Sequence, residues 1–187
     1  GFGFGGALAF LGYSKFTSLW TIGSVGESYT LFGYGNILEF SNTGGIVFNG
    51  NDLTISDVIL KGVSDTNPLK GSGVIRLSNV VIELGGNFTR NDGPFFIIGS
   101  NCKLITNGYS FTMSGIGNDL TVDGALLFYE QLNSGVALPP FYAINGAYIN
   151  LLNGGDLAKD FALPQAGIGG VSNIFTSGSN TLAQSYF

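Results

Sequence analysis

A short phrase of about ten residues recurs between residues 45 and 122, and it constrains the fold more than any other feature of the chain. Each copy holds two apolar residues in alternation, a turn that contains Asn, and a second alternating apolar pair. The four copies are residues 46–55, 74–82, 95–104 and, more loosely, 111–122. Residues 50–55 and 117–122 agree in five of six letters. The chain therefore repeats one structural unit.

Alternation within the copies predicts β-strands with one buried side. Leu53 and Ile55 are expected to face inward, whereas Glu83 and Lys103 are expected to face outward. A strand–turn–strand unit that recurs about every 20 residues is typical of a β-solenoid, in which each unit buries its apolar side against the next. An antiparallel β-sandwich or jelly roll has similar strands and turns and is the alternative. The Asn that recurs at one corner favours the solenoid, because stacked Asn side chains form hydrogen-bonded ladders.

The copies are unevenly spaced. Their first apolar pairs are separated by steps of 29, 21 and 15 residues. The longest step contains a polar stretch, residues 63–72, which we interpret as a loop that projects from one corner of a coil. No segment has the pattern of an amphipathic helix of ten or more residues. We therefore predict an all-β fold.

The 187 residues are enough for one domain with an additional arm. Residues 1–35 are rich in Gly and aromatic residues and predict an apolar amino-terminal arm or cap. Residues 36–187 predict a single β-rich domain, with a repeat core at about 45–129 and an irregular part at 130–187.

Several phrases resemble the repeats of chlamydial polymorphic membrane proteins, whose passengers carry Gly-Gly-Ala-(Ile/Leu/Val) and Phe-x-x-Asn motifs. Residues 5–8 and 48–51 fit these two motifs, while 44–47 and 40–43 each depart from them at one position. The resemblance covers about residues 5–51. It implies a right-handed β-helix that is displayed outside the cell and used for adhesion.

Charge is unusually scarce. Charged residues make up 10% of the chain, against about 25% in ordinary globular proteins. A surface with so little charge is poorly protected against association, so we expect a large part of it to be covered by other copies of the chain or by a partner. The net charge is −5 and the seven basic residues are scattered, which argues against nucleic acid and against a polybasic membrane site. No apolar run is long enough for a spanning helix.

The chain contains no His, so catalytic sites and metal sites built on His are excluded. The candidate acids are Asp52, Asp57, Asp65, Asp119 and Asp123. Asp52 and Asp119 occupy the same place in the two matching phrases and could form a calcium or sugar site on one face. Asn-Asp turns also bond the local backbone, and we favour that interpretation. We predict no catalytic residue, no metal and no cofactor.

Two further positions have a structural and a chemical interpretation. Cys102 is the only cysteine and lies at an inward position, which favours a small buried core residue over a reactive thiol. Residues 87–89 form an Asn-Phe-Thr glycosylation sequon, for which an ordinary loop is the simpler interpretation.

The two ends of the chain carry the functional hypothesis. The candidate self-assembly residues are Phe2, Phe4, Leu8, Phe10, Tyr186 and Phe187. We predict a non-enzymatic extracellular protein, its signal removed before Gly1, that assembles head-to-tail into a fibre, a pilus-like filament or a surface layer. The amino-terminal strand would be donated to a neighbour, or it would cap its own chain.

Two other functions remain open. One is an adhesin or fibre domain that binds carbohydrate or a host surface through Tyr129, Phe141, Tyr142 and Tyr148. The other is a polysaccharide lyase or hydrolase that uses acids near Asp52 and Asp119.

Overall fold

The computed structural model describes residues 6–98, 102–130, 141–152, 156–159 and 175–176. These residues form β-strands without any helix, as predicted. The strands are β1 (Gly6–Ala9), β2 (Ser14–Phe16), β3 (Leu19–Ile22), β4 (Ser28–Phe40), β5 (Gly45–Phe48), β6 (Asp52–Val63), β7 (Leu69–Lys70), β8 (Val74–Leu84), β9 (Phe88–Arg90), β10 (Phe95–Ile98), β11 (Lys103–Ile105), β12 (Phe111–Ser114), β13 (Leu120–Asp123), β14 (Leu126–Glu130), β15 (Phe141–Ile144), β16 (Ile149–Leu152), β17 (Asp156–Lys159) and β18 (Phe175–Thr176).

Among the described residues every strand pair is parallel, and strands bond to strands one coil away along the chain. The first face is an eleven-stranded sheet, whose main path runs β1-β4-β6-β8-β10-β13-β16. The same sheet carries a second row of strands. In this row β2 pairs with β4, and the order after β8 is β11-β14-β17. The second face consists of two smaller sheets, β3-β5-β7 and β9-β12-β15-β18. This is the predicted β-solenoid, and the antiparallel sandwich is not formed.

The core lies between the two faces and consists of columns of similar side chains. One column aligns Leu31, Ile55, Leu77, Ile97 and Val122, and each of these is buried. Parallel pairing in register places equivalent residues of successive coils on top of one another, so a repeated phrase in the sequence becomes a continuous apolar column. The inward positions predicted for Leu53 and Ile55 are confirmed, because both are fully buried.

One inward column of the second face consists of aromatic rings. Phe111 stacks between Phe88 and Phe141, with ring centroids 5.1 and 5.8 Å apart. This face is also interrupted. Within residues 6–98, all of which are described, no ladder of main-chain hydrogen bonds joins β7 to β9. Side chains bridge the gap instead, as shown below.

Left-handed residues bend the long strands of the first face. Asp57 in β6 and Asn79 in β8 have φ of 51° and 53°, a region that Asn and Asp tolerate better than other non-glycine residues. The Nδ2 of Asn79 donates a 2.7 Å hydrogen bond to Oδ1 of Asp57, 22 residues away. A corner ladder therefore exists here, but it pairs Asn with Asp rather than Asn with Asn.

The four sequence copies belong to two different places in the coil. Residues 46–55 and 111–122 both run from the second face to the first, through β5–β6 and β12–β13. Residues 74–82 and 95–104 instead run across the bend of the first face. The uneven steps between copies arise from this mixture, because paired coils are 22 residues apart at the Asp57 corner.

The interpretation of residues 63–72 as a projecting loop is therefore wrong. Val63 ends β6, and Leu69–Lys70 form β7, which pairs with β5. The corner between them is held against the preceding coil, since Nδ2 of Asn67 donates to the carbonyls of Asn42 and Gly44 at 3.2 and 3.0 Å. The segment is an ordinary part of the coil.

The predicted amino-terminal arm contributes the first coil. Strands β1 and β2 pair with β4, and β3 pairs with β5. The change of texture at Asn36 falls inside β4. Within residues 6–22, the arm therefore stacks on its own chain.

Candidate self-association surface

The first coil forms one end of the described solenoid. Strands β1, β2 and β3 each have a single bonded neighbour among the described residues. Their other edges present main-chain N–H and C=O groups that no described strand pairs. Such an edge is a template for another strand.

The core columns also end at this coil. Leu8 pairs with Leu31 in register, yet Leu8 is 43% exposed and Leu31 only 2%. The difference arises because a further coil covers Leu31 and none covers Leu8 among the described residues. Phe10, Phe16, Trp20 and Ile22 close the rest of the end as partly buried residues packed on the core.

The aromatic residues of this end pack on one another. The rings of Phe16 and Trp20 stack at 5.6 Å with an interplanar angle of 12°, and Phe10 meets both edge-on at 6.0 and 6.2 Å. The cluster makes this end apolar. Leu11, Leu19 and Val25, which lie near it in the chain, are 86%, 51% and 94% exposed.

Two of the predicted self-assembly residues, Leu8 and Phe10, lie at this end. Phe2, Phe4, Tyr186 and Phe187 lie outside the described residues. Phe16, Trp20 and Ile22 were missed by sequence reasoning. Phe16 pairs with Phe40, and Trp20 and Ile22 pair with Ile46 and Phe48 of the first repeated phrase, at offsets of 24 and 26 residues that the spacing of the copies did not indicate.

The candidate acids are not gathered into a site. Asp52 lies in a column between Ser28 and Val74, and its Oδ1 is 3.3 Å from Nε of Arg76. Asp119 occupies the same column but three strands further along, about 14 Å away at about 4.8 Å per strand. Its Oδ1 accepts a 2.9 Å hydrogen bond from the N–H of Tyr148. The favoured interpretation, that Asp52 and Asp119 bond the backbone of their own turns, is therefore wrong, because each contacts a neighbouring coil.

Asp57 and Asp65 also bind neighbouring coils. Oδ1 of Asp65 accepts a 2.6 Å hydrogen bond from the N–H of Thr89, and Asp57 accepts from Asn79. Asp123 ends β13, opposite Ile98 and Leu152. Among the described residues no group of three or more acids or thiols could hold a metal ion.

Cys102 is a core residue, as predicted. It is 1% exposed, and burial raises the pKa of its thiol, so the thiol stays protonated at neutral pH. Asn87 of the sequon is exposed, and its Oδ1 accepts hydrogen bonds from the N–H and Oγ of Ser110 at 3.1 and 3.2 Å.

The aromatic residues suggested for sugar binding do not form one surface. Phe141 is 1% exposed because it belongs to the inward column of the second face, so its predicted exposure is wrong. Tyr142, the next residue, faces outward and is 36% exposed, whereas Tyr148 is half-buried. The side chain of Tyr129 lies outside the description.

A buried cation bridges the gap in the second face. Arg90 is fully buried, and its Nε and Nη2 donate to the carbonyls of Gly93, Gly71 and Gly73 at 2.8, 3.1 and 2.8 Å. Nη1 is 3.0 Å from Oδ1 of Asp92, whose Oδ2 accepts a hydrogen bond from the N–H of Gly71 at 2.6 Å.

Burial lowers the pKa of Arg90 to about 10, and the charge of Asp92 opposes this effect. The guanidinium is therefore charged at neutral pH. Alternation from Phe88 already indicated an inward Arg90, a signal that sequence reasoning did not use.

Comparison with known proteins gives no match: no family model, no curated protein and no solved structure matches the chain. The described residues contain no helix with the length and hydropathy of a membrane span.

Proposed function

We propose that the chain is an extracellular structural protein that assembles head-to-tail, with the first coil of one copy stacked on the last coil of the next. The observation that carries this proposal is the apolar end of the first coil, where Leu8, Phe16 and Trp20 close the core columns beside unpaired strand edges. The low charge of the chain supports it.

The two ends offer compatible edges. At the far end, β16, β17 and β18 each pair on one side among the described residues, with β13, β14 and β15. These three strands continue the rows that begin with β1, β2 and β3. A second copy placed end-on would therefore extend all three rows with parallel pairing.

Stacking would bury the apolar side chains and the unpaired strand edges that the first coil now exposes. Leu8 would take the environment of Leu31, and main-chain groups of three strands would find partners. Fully burying a Leu side chain stabilises by about 1.5–3 kcal/mol. Because the two surfaces are different, the contact is heterologous and propagates into an open filament or layer.

A charge placed at the end of a core column tests the proposal. Lys at position 8 can reach solvent in a single copy, but it would be buried without a partner in a stacked copy. We expect rods or sheets of the unmodified protein in negative-stain micrographs, and their loss in Leu8→Lys with unchanged β-type circular dichroism. Ile116→Lys is the matched control, since Ile116 is 90% exposed at a corner away from the first coil. A monodisperse unmodified protein, or polymers that survive Leu8→Lys, would overturn the proposal.

Deleting residues 1–5 separates two versions of assembly. Donor-strand exchange depends on Phe2 and Phe4 and would be abolished. Stacking on β1 requires only residues from Gly6 onward, so polymers that persist after the deletion exclude the donor-strand version.

Surface binding is the second candidate, and exposed Tyr142 favours it. An adhesin or fibre domain would stack this ring on a sugar. A monomer that binds glycans on an array, and loses that binding in Tyr142→Ala, would replace assembly as the proposed function.

A further inference from the structure

A regular ladder of alternating charge lies on the outside of the first face. Lys15 of β2, Glu39 of β4, Lys61 of β6 and Glu83 of β8 follow one another in register. Nζ of Lys15 is 2.9 Å from Glu39 Oε1, and Nζ of Lys61 is 3.4 Å from Glu83 Oε2. The signs therefore read plus, minus, plus, minus along the solenoid axis.

An apolar column runs beside this ladder on the same side. Ile37, Ile59 and Val81 pair in register and lie two residues before Glu39, Lys61 and Glu83. Their inward neighbours Leu38, Leu60 and Ile82 are buried, so the column faces outward. Tyr13 begins it in the first coil, 58% exposed, with its hydroxyl donating a 2.7 Å hydrogen bond to Glu39.

We propose that this surface, defined by Tyr13, Ile37, Ile59 and Val81 and by Lys15, Glu39, Lys61 and Glu83, pairs laterally with the same surface of a second copy. The argument is one of symmetry. A two-fold axis parallel to the strands, midway between β4 and β6, leaves each column facing itself with its order reversed.

Reversal makes the ladder complementary to itself. Lys15 faces the Glu83 of the other copy, and Glu39 faces its Lys61. The apolar column reverses in the same way, so that Ile37 faces Ile59 and Tyr13 faces Val81. A ladder of four alternating charges has this property only in the antiparallel arrangement, which fixes the orientation of the pair.

The contact is lateral: it uses outward side chains of the first face, including Tyr13 and Lys15 of the first coil, and not the unpaired strand edges, so it does not depend on the proposed head-to-tail assembly. Four strands at about 4.8 Å make a short patch, smaller than the roughly 800 Å² per partner of a standard interface. The pair is therefore a concentration-dependent dimer. In a filament, it would join two solenoids side by side.

Two double variants with the same net charge test the proposal. Lys15→Glu with Glu39→Lys keeps opposite charges within both intrachain ion pairs, but it makes every facing pair between copies alike. Glu39→Lys with Lys61→Glu places like charges next to each other within the chain, yet every facing pair between copies stays opposite. If charges within one chain control the behaviour, the second double variant is the more disturbed. If pairing between copies controls it, the first double variant is the more disturbed.

The measurement is sedimentation equilibrium at low ionic strength up to about 1 mM protein, with every variant carried in the Leu8→Lys background so that end stacking does not contribute. We expect a dimer in that background and after Glu39→Lys with Lys61→Glu. We expect at least about a tenfold rise in its dissociation constant after Lys15→Glu with Glu39→Lys.

A monomer in the Leu8→Lys background at all concentrations would overturn the lateral pair and leave head-to-tail assembly standing. Equal dissociation constants for the two double variants, both with unchanged circular dichroism, would also overturn it. Failure of the head-to-tail proposal shows separately, as polymers that survive Leu8→Lys.

Discussion

The two faces of this solenoid solve the same stacking problem in different ways. The first face is one sheet of eleven strands, in which main-chain pairing continues from β1 to β16 and the inward columns are largely aliphatic. The second face is divided between β7 and β9, and one of its two inward columns after the division is aromatic. Where the ladder continues, the buried inward side chains fill the core.

At the division, side chains also satisfy the backbone. Arg90 donates to the carbonyls of Gly71 and Gly73, and Asp65 accepts from the N–H of Thr89. These are main-chain groups that a continuous sheet pairs with its own ladder. The comparison teaches that a polar side chain in a solenoid matters most where the ladder is absent.

The largest effect is expected from Arg90→Met. The substitution keeps an apolar stem but removes the ion pair to Oδ1 of Asp92 and the hydrogen bonds to the carbonyls of Gly71, Gly73 and Gly93. Breaking a buried ion pair from one side costs about 3–5 kcal/mol, so the urea midpoint should fall strongly.

Arg76→Met on the first face is the control. Arg76 pairs with Asp52 but is 36% exposed, and its guanidinium lies over the ring of Phe96 at 4.6 Å. Exposed ion pairs contribute about 0–1 kcal/mol, so this variant should remain close to the original protein. Equal losses in the two variants would show that the division between the faces has no energetic meaning.

The sequence allowed the first face to be predicted better than the second. Alternation placed Leu53, Ile55, Ile82 and Glu83 correctly, because a strand with one buried side has a period of two residues. Repetition of the phrase indicated stacking, because equivalent residues of parallel coils fall into columns. These are local signals that survive in one sequence.

Two features could not be predicted in this way. One is the position of each copy of the phrase within the coil, and the other is the division of the second face. The phrase describes any apolar strand pair around a turn, so copies from the second-face corner and from the first-face bend look alike. The gap at β7 depends on Arg90 and Asp92 meeting Gly71, roughly a coil away. Such contacts connect distant positions that only the register brings together.

Only part of the candidate self-association surface could be predicted from the sequence, for the same reason. Leu8 and Phe10 stood out as an apolar arm, whereas Trp20 and Phe16 became part of the end only once β3 and β2 were paired with β5 and β4. Asp52 and Asp119, the equivalent acids of the two matching phrases, do share a column, but Asp119 lies three strands further along it. The similarity of the two phrases indicates that Asp52 and Asp119 share a column, but it does not indicate how many coils separate them along the solenoid axis.

A smaller effect is expected from Asp65→Ala, which removes an acceptor at the division. The N–H of Thr89 loses its 2.6 Å partner, and a typical hydrogen bond of this kind contributes about 1 kcal/mol. Asp65→Asn keeps an oxygen acceptor and should recover most of the loss.

Ser56→Ala provides the matched case on the first face. The Oγ of Ser56 is buried without a hydrogen-bond partner in the described structure, so its removal should leave the urea midpoint unchanged or raise it. A larger loss for Ser56→Ala than for Asp65→Ala would reverse the comparison between the faces.

The smallest effect concerns the charges on the outside of the first face, and it appears only as a pH dependence. The hydrogen bond from Tyr13 and then the contact with Lys15 hold the pKa of Glu39 below its usual 4.5. A carboxyl whose pKa is lowered in the folded state contributes stability above its unfolded pKa, and that contribution disappears as the pH falls through the folded value. The difference in urea midpoint between the original protein and Glu39→Gln, measured in the Leu8→Lys background, should therefore be present at pH 7 and should disappear as the pH falls through the lowered pKa of Glu39. Tyr13→Phe removes the largest cause of the shift and should reduce the difference while leaving its direction unchanged. A difference that grows on acidification would mean that Glu39 is stabilised in its protonated form. It would contradict a stabilising role for the charge ladder on the first face.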